Sequence, residues 1–245
     1  MVDGSAVNAI VELDAKSLEK EVDGIKFTAR QMNPVIFEPS PDKLDLDSLS
    51  GLVELLTEPI DEDLKDSSKL LIHVASYSEV NLYGKLYGKN RKRDLFATVK
   101  LNSSYETFPF GDFLESEVFQ IKLRSQFKPT PDIDELFTFT SKLTVTDGVS
   151  TRDDGITQEV SVRRGMSGAL IEKATSKPIV TLKPYRTFRE IEQPESEFLF
   201  RMRAEDGKIP KLALIEADGG AWQLAAVQAI AEYFTLHLSE MKVVY

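Results

Sequence analysis

Glu197-Phe198-Leu199-Phe200-Arg201-Met202-Arg203 is the stretch whose reading decides the fold. Phe198, Phe200 and Met202 alternate with charged and smaller neighbours, the period of two that sends successive side chains to opposite faces of a strand. Leu212, Leu214 and Glu216 alternate in the same way with Ala213, Ile215 and Ala217. Asp206-Gly207 lies between the two runs as a tight-turn signal, so the pair reads as a hairpin. The hairpin belongs to an apolar block, Ile179 to Leu238, that closes in an amphipathic helix. Asp218 stands where it can accept hydrogen bonds from the first free N–H groups of that helix, and Gly219-Gly220 permits a sharp turn. Trp222, Ala226, Val227, Ile230, Tyr233 and Phe234 share one face; Gln223, Gln228, Glu232, Thr235 and Ser239 recur on the other.

Towards the N-terminus, Ile156, Gln158, Val160 and Val162 alternate after Asp154-Gly155, and Asp147-Gly148 precedes a companion strand. Asp132 opens a helix through Ile133, Leu136, Phe137 and Leu143. Phe119, Ile121, Leu123 and Phe127 read at period two as a strand, entered from the aromatic turn Phe108-Pro109-Phe110-Gly111. Leu95 to Leu101 alternates as another. Ser76 or Ser78 is placed to cap a short helix through Glu79, Val80, Leu82 and Tyr83, and Leu70 to Val74 is a continuous apolar run expected of a strand buried on both faces. Further back, Asp47 caps a helix through Leu49, Leu52, Val53, Leu55 and Leu56 that Pro59 ends. Val35-Ile36-Phe37 and Ile25 to Ala29 are short strands, and Ser5 to Glu21 has helical spacing up to Asp23-Gly24. Hairpins concentrate late and helices do not alternate regularly with strands. The expected class is α+β: a mostly antiparallel sheet with late β-hairpins packed by a long C-terminal amphipathic helix, plus a smaller acidic N-terminal helix and strand part.

The chain has 245 residues, 42% of them hydrophobic, enough to bury a sizeable core. The net charge is -10, and all of the excess lies in residues 1–66, which carry sixteen acidic and six basic side chains against twenty-four of each in 67–245. The composition shift divides an acidic N-terminal α/β subdomain, 1–66, from a main α+β domain, 67–245, unless the two form one continuous domain. With no cysteine, disulfides, thiol nucleophiles and Cys-ligated metal sites are excluded. No run reaches the roughly 18 apolar residues of a membrane span, and no signal peptide is legible, so the expected compartment is the cytoplasm, with no membrane partner.

Two patches invite binding. Lys85, Lys89, Arg91, Lys92 and Arg93 accompany Tyr83 and Tyr87, the pairing of cations for phosphates with aromatics for bases that single-stranded nucleic acid requires; a solvated loop beside an edge strand has the same composition. Lys183, Arg186 and Arg189 around Tyr185 form an anion site or an interface, or pair internally with Glu190, Glu192, Glu195 and Glu197. Asp153, Asp154 and Glu159 offer hard oxygen ligands, but an Asp-Asp-Gly turn uses the same residues for its own backbone. His73 in an apolar strand and His237 on the buried side of the last helix read as packed. Gly165-Met166-Ser167-Gly168 lacks nucleophile-elbow spacing, and no phosphate-loop or dinucleotide fingerprint occurs. The expectation is therefore no catalytic residues, no metal and no cofactor.

Four segments carry a resemblance. Asp153 to Gln158, Thr181-Leu182-Lys183-Pro184-Tyr185-Arg186-Thr187-Phe188, Glu192-Gln193-Pro194-Glu195-Ser196 and Glu216-Ala217-Asp218-Gly219-Gly220-Ala221-Trp222 resemble segments of uncharacterised proteins of Gram-positive phages and prophages. The order of elements from Leu70 to Leu238 is loosely similar to the YfdQ-like phage family of unknown function. The resemblance implies a phage origin and a role inside the infected bacterial cell, and brings no catalytic residues with it. The sequence-level expectation is a non-enzymatic binding protein that meets a host or phage protein or assembles as a homo-oligomer; inhibition of host defence would suit such a protein. The alternatives are a single-stranded nucleic-acid-binding accessory of phage replication or recombination, and a metal-dependent hydrolase using the late acidic turns.

Overall fold

The computed structural model describes residues 4, 5, 8, 19–28, 40–88, 91–143, 149–153, 158–164, 169–176, 178–203 and 210–245, with backbone alone for 19, 20, 25–28 and the residues it covers from 142 to 176. They fall into two units, Met1–Pro41 and Asp42–Tyr245. In the first, Gly4, Ser5 and Asn8 are helical, and β1 (Glu19–Val22) pairs antiparallel with β2 (Ile25–Thr28). The expected helix therefore does not reach Glu21. Asp23 and Gly24 both take positive φ, 54° and 76°, the left-handed pair that a two-residue hairpin demands and Asp-Gly supplies. Val35-Ile36-Phe37 lies outside the described residues.

The second unit begins at Asp42, ahead of the composition shift at Asp66, because β3 (Leu44–Leu46) and α1 (Leu49–Thr57) are built into its sheet and core. Its first layer is a five-stranded mixed sheet. β4 (Leu70–Ser76), β5 (Glu79–Gly84) and β6 (Leu95–Lys100) form an antiparallel meander, β3 lies parallel to β6, and the last strand, β13 (Lys242–Val244), lies parallel to β4. Here three expectations are corrected. Glu79 to Tyr83 is strand, not helix, because Val80, Leu82 and Gly84 alternate inward and Tyr77-Ser78 is the turn. β4 is buried on one face: Leu70, Ile72 and Val74 are inside while Leu71 and His73 are half exposed. The cap of α1 is Ser48 rather than Asp47, its Oγ accepting from Gly51 N at 3.1 Å.

The second layer is an aromatic core beneath the late strands. β10 (Ile179–Leu182), β11 (Ser196–Arg203) and β12 (Lys211–Glu216) form an antiparallel sheet in the register expected of the 198–216 hairpin, Phe200 opposite Leu214. Two helices cover it: α2 (Ser116–Ser125) and α3 (Pro131–Leu143). The period-two strand expected from Phe119 to Phe127 is therefore a helix. Phe119 and Leu123 are four apart as well as members of a two-residue series, and both are fully buried, whereas Ile121 between them is 60% exposed. Rings interlock throughout, Phe108 with Phe119 at 5.7 Å and with Phe127 at 5.2 Å, and Phe139 edge-on to Phe200 at 5.9 Å. Each large buried side chain contributes about 1.5 to 3 kcal/mol. The sheet's edges are closed by irregular chain, with Lys128 N donating to Lys183 O and Tyr185 N to Gln126 O on one side, and Gly111 N to Leu214 O on the other.

The fold is α+β, as its sequence leads one to expect, and a long helix, α4 (Ala221–His237), precedes β13. That helix packs Ile230, Ala231 and Phe234 against the five-stranded sheet, leaving the late strands to α2 and α3. His237, expected inside, is exposed, its Nδ1 2.8 Å from Tyr233 O. A third antiparallel sheet, β7 (Val149–Asp153), β8 (Gln158–Arg164) and β9 (Ala169–Ser176), holds the expected strand pair around residues 154–157. No helix among the described residues is long and apolar enough to cross a membrane.

Candidate functional site

The two cores meet along the connection from Lys183 to Glu195, between β10 and β11. It belongs to both, since Phe188 and Ile191 enter the core of the five-stranded sheet while the strands on either side line the aromatic one. Irregular backbone can be buried only if its polar groups find partners, and Gln193 supplies several. Its Oε1 accepts from Arg186 N at 3.2 Å and Thr187 N at 3.4 Å, and its Nε2 donates to Phe188 O at 2.8 Å and Ile191 O at 3.3 Å. Thr187 Oγ1 donates to Tyr77 O at 2.5 Å, and Glu190 accepts from Leu49 N at 2.9 Å, placing an anion at the N-terminus of α1. One segment is thereby tied to the β4–β5 turn and to α1.

At its centre Arg186 is 6% exposed. Its two terminal nitrogens donate to Glu216 and to Ser196, its guanidinium lies 3.9 Å from the Trp222 ring centre, and Phe110 and Phe198 flank it at 5.6 Å. Nε and Trp222 Nε1 are buried without a hydrogen-bond partner. Burial pushes the guanidinium below its usual range, against the opposing pull of Glu216 and Asp218. Burial likewise pushes the Asp218 carboxyl up, but hydrogen bonds from Ser196 and from the backbone of Gly220 and Trp222, with the charge of Arg186, outweigh it and leave the group lowered. Asp218 accepts from Gly220 N at 3.0 Å and so supports the turn into the helix, while the cap position, expected of Asp218, is held by Gly220 at φ 83°. Three of the four segments that carry the resemblance, around Arg186, Ser196 and Trp222, converge on this one guanidinium.

The connection presents different chemistry outside. Arg189 is exposed, 4.0 Å from the ring centre of Tyr185 and 5.1 Å from that of Tyr105, which is 47% exposed. No carboxylate among the described residues pairs with it. Lys183 by contrast is held by Glu192 at 3.2 Å and Glu195 at 3.3 Å, and Glu192 also binds Lys128 at 2.6 Å. Those bonds raise the Lys183 amine and lower the Glu192 carboxyl. Of the four residues expected to form an anion site or interface, then, Arg186 is buried structure, Lys183 is internally paired, and Tyr185 and Arg189 form an accessible stack. Tyr105 comes from a loop nothing in the sequence links to them.

The basic patch lies at the end of the β5–β6 hairpin. Gly84 N donates to Asp94 O at 2.9 Å and Tyr87 N to Lys92 O at 3.0 Å, so the chain leaves the sheet as a narrow projection turning through Gly88 and Arg91, whose φ is 54°. Lys85, Arg91, Lys92 and Arg93 are exposed, and none pairs with a carboxylate among the described residues. Arg93 donates to Gly84 O at 3.0 Å. The aromatics are partly committed: Tyr87 donates to Asp94 at 2.9 Å, and Tyr83 lies in β5 with His73 6.3 Å away. Lys89, Asp154 and Gly165 to Gly168 lie outside the described residues, as do the side chains of Asp153 and Glu159. The chain matches no protein-family model, no curated protein and no solved structure.

Proposed function

We propose that this is a phage-encoded, non-catalytic binding protein that acts in the cytoplasm of the infected bacterium through protein–protein contact, self-assembly included. The observation that carries the reading is the Tyr105–Arg189–Tyr185 stack. Tyrosine and arginine are enriched among the residues that carry binding energy at protein interfaces, and a guanidinium already resting against two rings loses little freedom on docking. An arginine stacked on aromatic faces with no carboxylate of its own keeps its N–H groups for a partner. The phage origin rests on the resemblance of the four segments, three of which build the scaffold that holds Arg189 in place.

The test compares wild-type protein with Arg189→Ala and Tyr105→Ala as baits in lysates of infected cells, with bound proteins identified by mass spectrometry. At least one captured protein should be depleted about tenfold or more by either substitution, the loss of about 2 kcal/mol expected of such a residue. Identical captured sets from all three baits would refute the assignment of this surface.

A further inference from the structure

We infer that one end of the five-stranded sheet is a self-complementary surface on which a second copy of this chain docks. It deepens the binding reading by naming a partner, and it uses none of Tyr105, Tyr185 and Arg189, so the two fail separately. Register fixes the location. Leu70, the first residue of β4, pairs with Gly84, the last of β5, so the chain entering β4 and the chain leaving β5 lie at the same end of the sheet. The entering chain is acidic and the leaving chain is basic. Two short 3-10 turns, Glu62–Leu64 and Ser67–Lys69, precede β4, with Leu64 buried in the core as their anchor. Within and before them Glu62 pairs with Lys65 and Asp66 with Lys69, while Glu58, Asp61 and Asp63 are exposed and form no close ion pair among the described residues, Asp63 reaching Lys69 only through its longer-range charge. The basic projection beyond β5 exposes Lys85, Arg91 and Lys92, equally unpartnered.

Many of the lysines elsewhere in the molecule are paired. Lys43, Lys100, Lys122, Lys128, Lys183 and Lys211 each reach a carboxylate within the chain. At the sheet end, two lobes of opposite sign lie side by side and neither neutralises the other. A twofold axis running between them sets the acidic lobe of each copy against the basic lobe of the other, the isologous arrangement in which one surface is complementary to itself. Apolar side chains accompany both lobes. Ile60 is 90% exposed in the acidic segment, and Leu86 is 38% exposed in the basic one. The neighbouring acidic lobe also repels a polyphosphate approaching the basic tip, which favours a protein surface over nucleic acid as its occupant.

The experiment uses three full-length proteins: wild type, a basic-lobe reversal (Lys85→Glu, Arg91→Glu, Lys92→Glu) and an acidic-lobe reversal (Glu58→Lys, Asp61→Lys, Asp63→Lys), with circular dichroism confirming that each folds. Mass is read by light scattering after gel filtration and by sedimentation, at low and high salt. Wild type should dimerise at low salt, with a dissociation constant raised about tenfold or more at high salt. Each reversal alone should be monomeric, since both its lobes then have one sign. An equimolar mixture should form a heterodimer, a recovery that general damage to the fold would not give. A monomeric wild type, reversals that dimerise like wild type, or a mixture that stays monomeric would each overturn the inference. So would a monomer whose basic tip binds labelled oligothymidine in a manner abolished by the basic-lobe reversal, which would assign the tip to nucleic acid.

Discussion

Replacing Arg186 separates a buried guanidinium from its exposed carboxylate partner. The guanidinium is 6% exposed, whereas the Glu216 side chain retains 37%. Truncation to Ala removes charge-assisted hydrogen bonds to Glu216 and Ser196, worth about 1.5 to 3 kcal/mol, and the stack on Trp222, worth about 2 kcal/mol where water is excluded. It also abolishes the burial penalty that holds this group below its usual range. Those losses and the cavity left beside Trp222, offset in part by relief of that penalty, make about 3 to 5 kcal/mol the destabilisation expected for Arg186→Ala. Arg186→Met keeps much of the volume and lifts the same burial penalty, so its expected cost is smaller, about 1 to 3 kcal/mol. Glu216→Gln leaves the buried guanidinium without its carboxylate, the charge of Asp218 remaining, and should cost about 1 to 3 kcal/mol. Urea titration with linear extrapolation measures all three. Trp222 is the only tryptophan, so its emission follows the environment of the guanidinium directly. An Arg186→Ala cost below about 1 kcal/mol, or a Glu216→Gln cost below about 0.5 kcal/mol, would refute the reasoning.

Two further outcomes are expected. Among the described residues three carboxyls are lowered: Asp66 to about 2 by its bonds from Lys69 and Ser68, Glu192 by Lys128 and Lys183, and Asp218 at the helix start. A lowered acid stabilises the fold above its unfolded value and ceases to do so as pH falls through the folded one, so the urea midpoint should hold down to about pH 5 and decline below about pH 4. On the alkaline side Lys69 and Lys183 are raised by their carboxylates and Tyr233 by burial, so the midpoint should decline again as pH rises beyond about 10. A midpoint that rises between pH 5 and 3 would contradict the sign. Separately, Phe119→Ala should cost about 3 to 5 kcal/mol and Ile121→Ala less than about 0.5 kcal/mol, measured by the same titration. Comparable losses at both positions would mean that they share one buried face, as a strand would require.

The late hairpin and the final helix were legible because each buries one face at its own period over many residues, as Phe198 to Met202 and Trp222 to Phe234 do. Shorter runs were ambiguous. Phe119 and Leu123 satisfy a period of two and a spacing of four at once, and only the exposure of Ile121 distinguishes them. Glu79 to Tyr83 looked helical because two serines precede it, yet Tyr77-Ser78 serves as a turn whose carbonyl binds Thr187. Within the candidate site, Tyr185 and Arg189 could be named because they are four residues apart. Tyr105, Glu216 and Trp222 could not, because what brings them to this connection is the packing of two cores, which leaves no periodic trace.

The order of the cores along the chain has a consequence for synthesis. The five-stranded sheet is built from residues 44–100 and closed by α4 and β13, so the entire aromatic core is made between its two halves. A ribosome releases the meander β4–β6 long before Val243 exists to pair with Ile72, or Phe234 to cover the sheet. Until then the meander's apolar face lacks the cover of α4 and has an open edge beside β4, while the aromatic lobe has all its strands and helices once β12 has emerged. Non-local closure of this kind is slow. Within this unit the nascent chain should therefore mature from the middle outward, with Lys242–Val244 completing a sheet whose meander was made before the aromatic lobe.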